Sequence, residues 1–554
     1  MRFKARYLPI FTGLQLPSKK TSVFFALFFA VSIYGLVSIY DNSIISKDTI
    51  QSLSVAKNLL KGNGITTTVI YYQTQHDIGG IPVPQTVFPP GYPFMIALIS
   101  MLGISPRLTA FLLSLVCFNL IALYIYQIAR ISGHKKNTCF ILTAVWFFFV
   151  PNWFYALKSM SEMTFIFCTV LSFRCIIQSE ISSKKRWIFI ASLFASLAFT
   201  VRYAGIFFVM SLAIFYLIDF LRKKNLNAFY EFLSATLLPL FTVLVLFTRN
   251  YILAGGFRGA LEYGSEKSVT SISYKCYVAL RALFGFSWSG IVKGQIQELL
   301  MIILVLLWFF FFIIKFNKLR VNKDAFSNIF INVTSFFSSI YIIISLFFLT
   351  YIEITSLGGI ASRYLVPLIP FCLLLIPDLI RVIYYENGYF KKIKYFLTLS
   401  VLVMFLLGQS NVFLSYWKRL VQDNHFRIIH YSLQKPFLSG TLYDFLTERA
   451  RLDSPILGEP GQVVGGVLDR PTIALPPSRY TSKIWSFNEV KKIVQRYNVH
   501  YILFYPQIFN IDGDDDQLFF MELKKGNLPP WLKPISSTPE MVLYEVSNLE
   551  DTNL

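Results

Sequence analysis

The chain has 554 residues, 55% of them hydrophobic, 17% aromatic and only 15% charged, with a mean hydropathy of +0.55; this excludes an ordinary soluble globular protein. Its formal charge of +21 falls in short clusters between apolar segments, not along one continuous face, so it marks membrane topology and not a nucleic-acid surface. The 56 Phe and 31 Tyr suit lipid-facing helices with aromatic anchors at the interfaces.

At the N-terminus, basic residues precede an apolar run that no small-residue cleavage site follows, which reads as a retained signal anchor. Segments apolar and long enough to span predict roughly eleven transmembrane helices. They are 22–40, 107–128, 138–150, 160–178, 187–201, 203–221, 231–252, 296–314, 328–350, 361–380 and 395–414. Two of these, 138–150 and 187–201, are short for a full crossing and borrow from their flanks or tilt little. Phe88 to Leu102 contains Pro89, Pro90 and Pro93 and has no basic cluster after it, so it is predicted to be a juxtamembrane helix and not a twelfth span.

The connections 1–20, 129–137, 180–186, 221–227, 315–323 and 381–395 carry five, three, three, three, four and four Lys and Arg residues. The alternate connection 41–87 has only Lys47, Lys57 and Lys61. The positive-inside rule therefore makes the first set cytoplasmic. It puts 41–106, 151–159, the Arg202 turn, 253–295, 351–360 and everything after about Ser415 outside. The predicted fold is an α-helical polytopic membrane domain, 1–415, with surface helices in its first outer loop, 41–106. A small extracytoplasmic α/β domain, 416–554, follows. There Ser454 to Leu457, Thr472 to Leu475, His500 to Tyr505 and Met541 to Val546 read as strands, and Ser486 to Tyr497 as an amphipathic helix capped by its serine. Gly458 to Pro471 reads as a turn-rich connector, and Asp512 to Asp516 as a solvated turn. The six cysteines show no CxxC pair or metal-ligand spacing, so neither disulfides nor zinc are predicted.

Several outer residues carry candidate chemistry. Asp48 to Gly64 is predicted to form an amphipathic helix on the membrane surface, with Ile50, Leu53, Ala56, Leu59 and Leu60 on one face and Gln51, Ser54, Asn58 and Lys61 on another. Asp48 stands at its start, as an N-cap or as a base, and the positive helix end favours an ionised carboxylate in either role. The VFPPGYP segment fixes a rigid start to the next short helix through Pro89 and Pro90, with Tyr92 close behind. Lys158 and Glu162 lie where the fourth span enters from outside, where a carboxylate needs water or a partner. Arg202 and Arg363 lie at outer turns, each followed by a tyrosine, Tyr203 and Tyr364. A guanidinium there suits a phosphate, or else an internal salt bridge to Glu162 or Glu353. Arg249, Arg258 and Lys267 would extend a positive rim.

The ordered set of D-x7-A-x-N-L-L-x-G-x-G, PPGYP, SE, RY and RYxxP across about residues 20–380 resembles the GT-C superfamily of polytopic glycosyltransferases. The resemblance is to the branch of protein O-mannosyltransferases and lipid A aminoarabinose transferases. It implies an enzyme of the plasma (inner) membrane that moves a sugar from a polyisoprenyl phosphate to a glycan, lipid or protein acceptor outside the cytoplasm. Mapped here, Asp48 would be the single base, with Asp41 as the alternative, and Arg202, Arg363 and Lys158 would hold the donor phosphate. Glu162, Tyr203, Tyr364, Pro89, Pro90 and Tyr92 would support them. This chain has Phe88 where the family often has histidine, and Thr49 where it often has a second acid. No ligand set calls for a metal, although the family leaves room for a divalent cation, Mg or Mn. Two rival readings are a transporter or flippase of lipid-linked sugars, which would put charges at mid-depth in several spans, and a noncatalytic envelope-polysaccharide assembly protein.

Overall fold

The computed structural model describes residues 46–257, 329–355, 362–385, 425–452, 454–476, 481, 483–507 and 518–547. Asp41, Arg258, Lys267, Asp512 to Asp516 and the predicted spans 22–40, 296–314 and 395–414 lie outside them.

Helix α1 (Lys47–Leu60) starts where the Ser46 hydroxyl accepts the Thr49 amide at 3.1 Å. Ser46 is thus the N-cap, and Asp48, in the first turn, is not. The expected water-facing side of this helix is buried instead. Gln51 Nε2 donates to the Val69 carbonyl at 3.0 Å and Asn58 Nδ2 to that of Thr66 at 2.9 Å, while the hydroxyls of Ser54 and Thr68 share a hydrogen bond at 3.0 Å. Ile50, Val55 and Ala56 are buried as well. Protein covers most of both faces of the helix, so its polar side does not look into water. Its periodic polar residues satisfy a neighbouring backbone and not solvent, a distinction that periodicity cannot draw.

That backbone belongs to the rest of the first loop: β1 (Thr66–Thr67), β2 (Val69–Ile70), α2 (Gln73–Ile78) and β3 (Val83–Pro84), with β1 and β3 paired antiparallel. Helix α3 (Gly91–Ser100) follows the double proline, and its ten residues are too few to cross a bilayer.

A bundle of apolar helices then runs α4 (Pro106–Ile131), α5 (Lys136–Phe148), α6 (Val150–Leu157), α7 (Ser161–Ser182), α8 (Arg186–Val201), α9 (Gly205–Lys223) and α10 (Leu226–Ala254), with α11 (Ile329–Thr355) further on. Among the described residues, α4, α7, α9 and α10 are each long and apolar enough to cross a membrane, and α5 with α6 makes a fifth such unit bent by 54°. The bend falls at Phe149, whose backbone is extended, and Pro151 behind it has no amide to continue the ladder. Residues 151–159, expected as a loop, are therefore largely helical. Helix α7 packs on α4 and α8, α8 on α10, and α9 on α10 and α11. Two 3-10 turns, Ser362–Tyr364 and Val366–Leu368, lead into α12 (Ile369–Tyr385).

The C-terminal region opens with α13 (His425–Leu433) and a small hairpin, β4 (Pro436–Phe437) with β5 (Gly440–Thr441). It continues through β6 (Ile456–Glu459), α14 (Gly461–Leu468), β7 (Thr472–Ile473), α15 (Phe487–Tyr497), β8 (Tyr501–Phe504), α16 (Leu518–Lys524), β9 (Leu532–Ser537) and β10 (Val542–Val546). The expected connector at 458–471 is mostly a buried helix, α14, because its valines and leucine pack on the sheet. Strand β9 went unrecognised in the sequence, since its LKPISS run leaves only Leu532 buried. The sheet order is β2-β7-β6-β8-β10-β9: the first-loop strand β2 runs parallel to β7 and covers that edge.

The period-two pattern sorts the two faces of this sheet. Ile70, Leu457, Ile502, Phe504 and Tyr544 join Trp485, Val490, Phe519 and Phe520 in a separate core under α15 and α16. Their neighbours Val69, Ile456, Leu503, Tyr505 and Leu543 turn the other way, into one continuous core with α1, α14 and the helix bundle.

Candidate active site

The first turn of α1 and the 3-10 turn before α12 meet at one end of the bundle. Arg363 Nη1 donates to Asp48 Oδ2 at 2.6 Å, the two side chains being 30% and 29% exposed. The other arm of the guanidinium, Nη2, donates to the Tyr364 hydroxyl at 3.2 Å, and its plane lies 5.1 Å from the Tyr364 ring. Asp48 foremost, and Glu162 more weakly, raise the Arg363 pKa well above its ordinary value against the opposing effect of burial. Both carboxylates therefore act electrostatically on this one guanidinium. For this arginine the sequence left open a phosphate or a salt bridge to Glu162 or Glu353; in the structure its ion pair is with Asp48.

Glu162 lies in the first turn of α7, fully buried, where unpaired amides favour a negative charge. Arg202, in the extended turn after α8, brings Nη1 to 2.7 Å from Glu162 Oε1 and donates to the Ser161 hydroxyl at 3.1 Å. Neither Glu162 oxygen takes an aligned hydrogen bond, so this is a pairing by charge. The salt bridge, weighed against phosphate binding from sequence, is formed in this structure.

The supporting residues fix the frame. Tyr92 is buried and donates to the Ser159 carbonyl at 2.5 Å. Tyr203 donates to the Thr86 carbonyl at 2.9 Å and accepts from Asn250 Nδ2 at 2.6 Å. Pro89 and Pro90 lead into α3, and behind them Gly91 lies so close to α8 that a Cβ there would meet Thr200 Oγ1 at 2.5 Å and the Thr200 backbone at 2.6 Å. The Lys158 ammonium sits 4.1 Å over the Phe154 ring. Arg249, expected on a positive rim, instead donates to the Gln85 carbonyl at 2.9 Å and holds the first loop against α10.

Sequence reasoning passed over Thr49, whose hydroxyl donates to the carbonyls of Lys158, at 3.0 Å, and Ser159, at 3.2 Å. These contacts tie the start of the Asp48 helix to the turn between α6 and α7. The departure of Thr49 from the family's usual acid was the only sign of it. Among the described residues, no three His, Cys, Asp or Glu side chains converge as metal ligands, and both carboxylates at the site face guanidiniums.

Residues 87–247 match the family model described as dolichyl-phosphate-mannose-protein mannosyltransferase. Over nearly its whole length the chain superposes on ArnT from Cupriavidus metallidurans bound to undecaprenyl phosphate, with a TM-score of 0.56 at 10% identity, covering 96% of this chain and 99% of that one.

The chain has the GT-C fold.

The apo state of the same ArnT matches this chain with a TM-score of 0.55 at 10% identity, covering 95% and 98% of the two chains. No curated protein matches the sequence significantly. With four membrane-length apolar helices, or five counting the bent pair, among the described residues, the chain is a multi-pass membrane protein of mostly helical build, with a sheet in its C-terminal region. Within that frame, Asp48, Arg363, Glu162 and Arg202 gather at one end of the bundle although four separate segments carry them.

Proposed function

We propose that this GT-C protein transfers a sugar from a polyisoprenyl phosphate to an acceptor hydroxyl on the extracytoplasmic face of the plasma (inner) membrane, with inversion at the anomeric carbon. The observation that supports this reading is the 2.6 Å contact of Asp48 and Arg363, a carboxylate and a guanidinium side by side and both partly open to solvent. The ArnT neighbour is described with undecaprenyl phosphate bound, and the family model matched by residues 87–247 takes its name from dolichyl-phosphate mannose.

A phosphate entering beside Arg363 competes with Asp48 for the guanidinium, whose planar fork suits phosphate oxygens. The displaced carboxylate is then a base. It takes the acceptor's hydroxyl proton as the acceptor oxygen forms its bond to the anomeric carbon from the face opposite the phosphate. The bond between the anomeric carbon and the phosphate oxygen breaks, and both its electrons leave with the polyprenyl phosphate. That anion needs no proton, so one base suffices. Arg363 stabilises the charge that builds on the leaving oxygen. Arg202, which Glu162 holds in place, and Lys158 supply further positive charge for the phosphate. Among the described residues no three acids, histidines or cysteines converge as metal ligands, and each step above uses only the chain's own side chains.

Incubating the purified chain with radiolabelled polyprenyl-phosphate sugars tests the reaction. Release of polyprenyl phosphate together with a labelled acceptor is the expected result. Intact donor that only changes sides in sealed vesicles would mean flipping and would overturn the reading.

A further inference from the structure

We propose that the C-terminal domain positions the Asp48 helix, and that Gly466 is the positioning residue through which it does so. Helix α14 lies across α1, and a Cβ at Gly466 would fall 2.7, 2.8 and 3.1 Å from Cδ1, Cγ1 and Cγ2 of Ile50, which is itself 2% exposed. The two helices thus approach as closely as a residue without a side chain allows. Ile50 is two residues after Asp48, a rotation of about 200° on a helix. The domain bears on one side of α1 while Arg363 meets Asp48 on nearly the other. How deeply α14 packs therefore sets how far Asp48 reaches.

Contacts on either side lock the same arrangement. Strand β2 joins the domain's sheet, with Thr472 N donating to the Thr68 carbonyl at 3.0 Å and Ala474 N to the Ile70 carbonyl at 2.8 Å. A Cβ at Gly465 would meet Thr472 Oγ1 at 2.8 Å and Val69 Cγ2 at 3.3 Å. Lys57, in the last turn of α1, forms an ion pair with Asp469 just past α14. From below, Thr49 fixes the helix start to the carbonyls of Lys158 and Ser159. Asp48 is thus held between a soluble domain and the membrane bundle, and Gly466 touches neither Asp48 nor Arg363.

The effect on turnover rests on the transfer reaction proposed above, whereas the positioning is also readable without substrate. The full chain in lipid nanodiscs is compared as wild type, Gly466→Ala, Ile50→Ala and the double variant. In Gly466→Ala, amide exchange rises in residues 47–60 and not in the spans, and kcat falls about tenfold with the donor KM within twofold. Ile50→Ala removes all three atoms that the new methyl would strike, so the double variant recovers both the slow exchange and most of kcat. Wild-type exchange and turnover in Gly466→Ala would overturn the proposal. So would a loss that Ile50→Ala leaves unrepaired, or exchange raised throughout the bundle. A wild-type chain that transfers no sugar would overturn the reaction alone, because the exchange pattern and its recovery still decide the positioning.

Discussion

Arg363 and Asp48 are separated by 315 residues of chain, yet the guanidinium lies 2.6 Å from the carboxylate at the end of the bundle where the 3-10 turn before α12 meets α1. A half-exposed pair of this kind adds little to stability, which leaves both partners available for chemistry.

Asp48→Asn removes the base but keeps the shape and an acceptor for Arg363. General-base groups contribute roughly 10²- to 10⁴-fold, and kcat is expected to fall within that range while membrane insertion and thermal midpoint stay unchanged. Wild-type turnover in this variant would eliminate Asp48 as the base.

Arg363→Lys keeps a positive charge but loses the planar fork and the stacking on Tyr364. Polyprenyl phosphate is expected to bind about tenfold more weakly, close to 1.4 kcal/mol, with little change in folding. Binding of radiolabelled polyprenyl phosphate measures it directly.

Glu162 is fully buried beside Arg202, whose side chain is only 14% exposed. Glu162→Gln leaves a mostly buried guanidinium without its counter-charge, a loss on the order of 3 kcal/mol. Replacing both, as Glu162→Gln with Arg202→Gln, should cost less than the sum of the single changes. Thermal midpoints of the four proteins form the cycle, and strict additivity would show that the pair is not coupled.

Gly91→Ala puts a methyl group into the Thr200 backbone as well as its hydroxyl. Overpacking of this type costs about 1–3 kcal/mol, so the variant should melt earlier. Thr200→Ala should not restore it, because two of the three close contacts are main-chain atoms.

The docking of the first loop should weaken in acid. His76 is buried, its Nε2 donates to the Ala474 carbonyl at 2.9 Å, and burial lowers its pKa to about 4, opposed by that hydrogen bond and by Asp77 and helped by Lys483 and Arg496. An undocked His76 titrates near 6.5, so the released loop binds a proton that the docked loop refuses. The stabilisation is complete above pH 6.5, declines as pH falls towards 4, and levels off below, by up to about 3 kcal/mol in all. Protease sensitivity of residues 65–80 should rise across that window, and His76→Phe should flatten the rise.

The spans at 160–178, 203–221 and 231–252 were legible in the sequence because a bilayer demands long apolar runs whatever their neighbours are. Helix α1 was legible too, through its 3.6-residue repeat, and α15 through Ser486 at its cap. Its surroundings were not: Gln51, Ser54 and Asn58 look the same in sequence whether they face water or the backbone of β1 and β2. Helix α14 was misread because the glycines that suggest turns are there for close packing against Ile50 and Thr472.

The sequence by itself determined that this chain lives in a membrane, roughly where the spans at 107–128, 160–178, 203–221 and 231–252 run, and which few charged residues lie near their ends. These are local properties, set by runs of apolar side chains and by clusters of charge. Only the tertiary structure decided that Asp48 meets Arg363, that Glu162 takes Arg202, and that a first-loop strand completes the C-terminal sheet. Contacts between segments far apart in the chain depend on how whole helices and strands pack, and no local pattern encodes that.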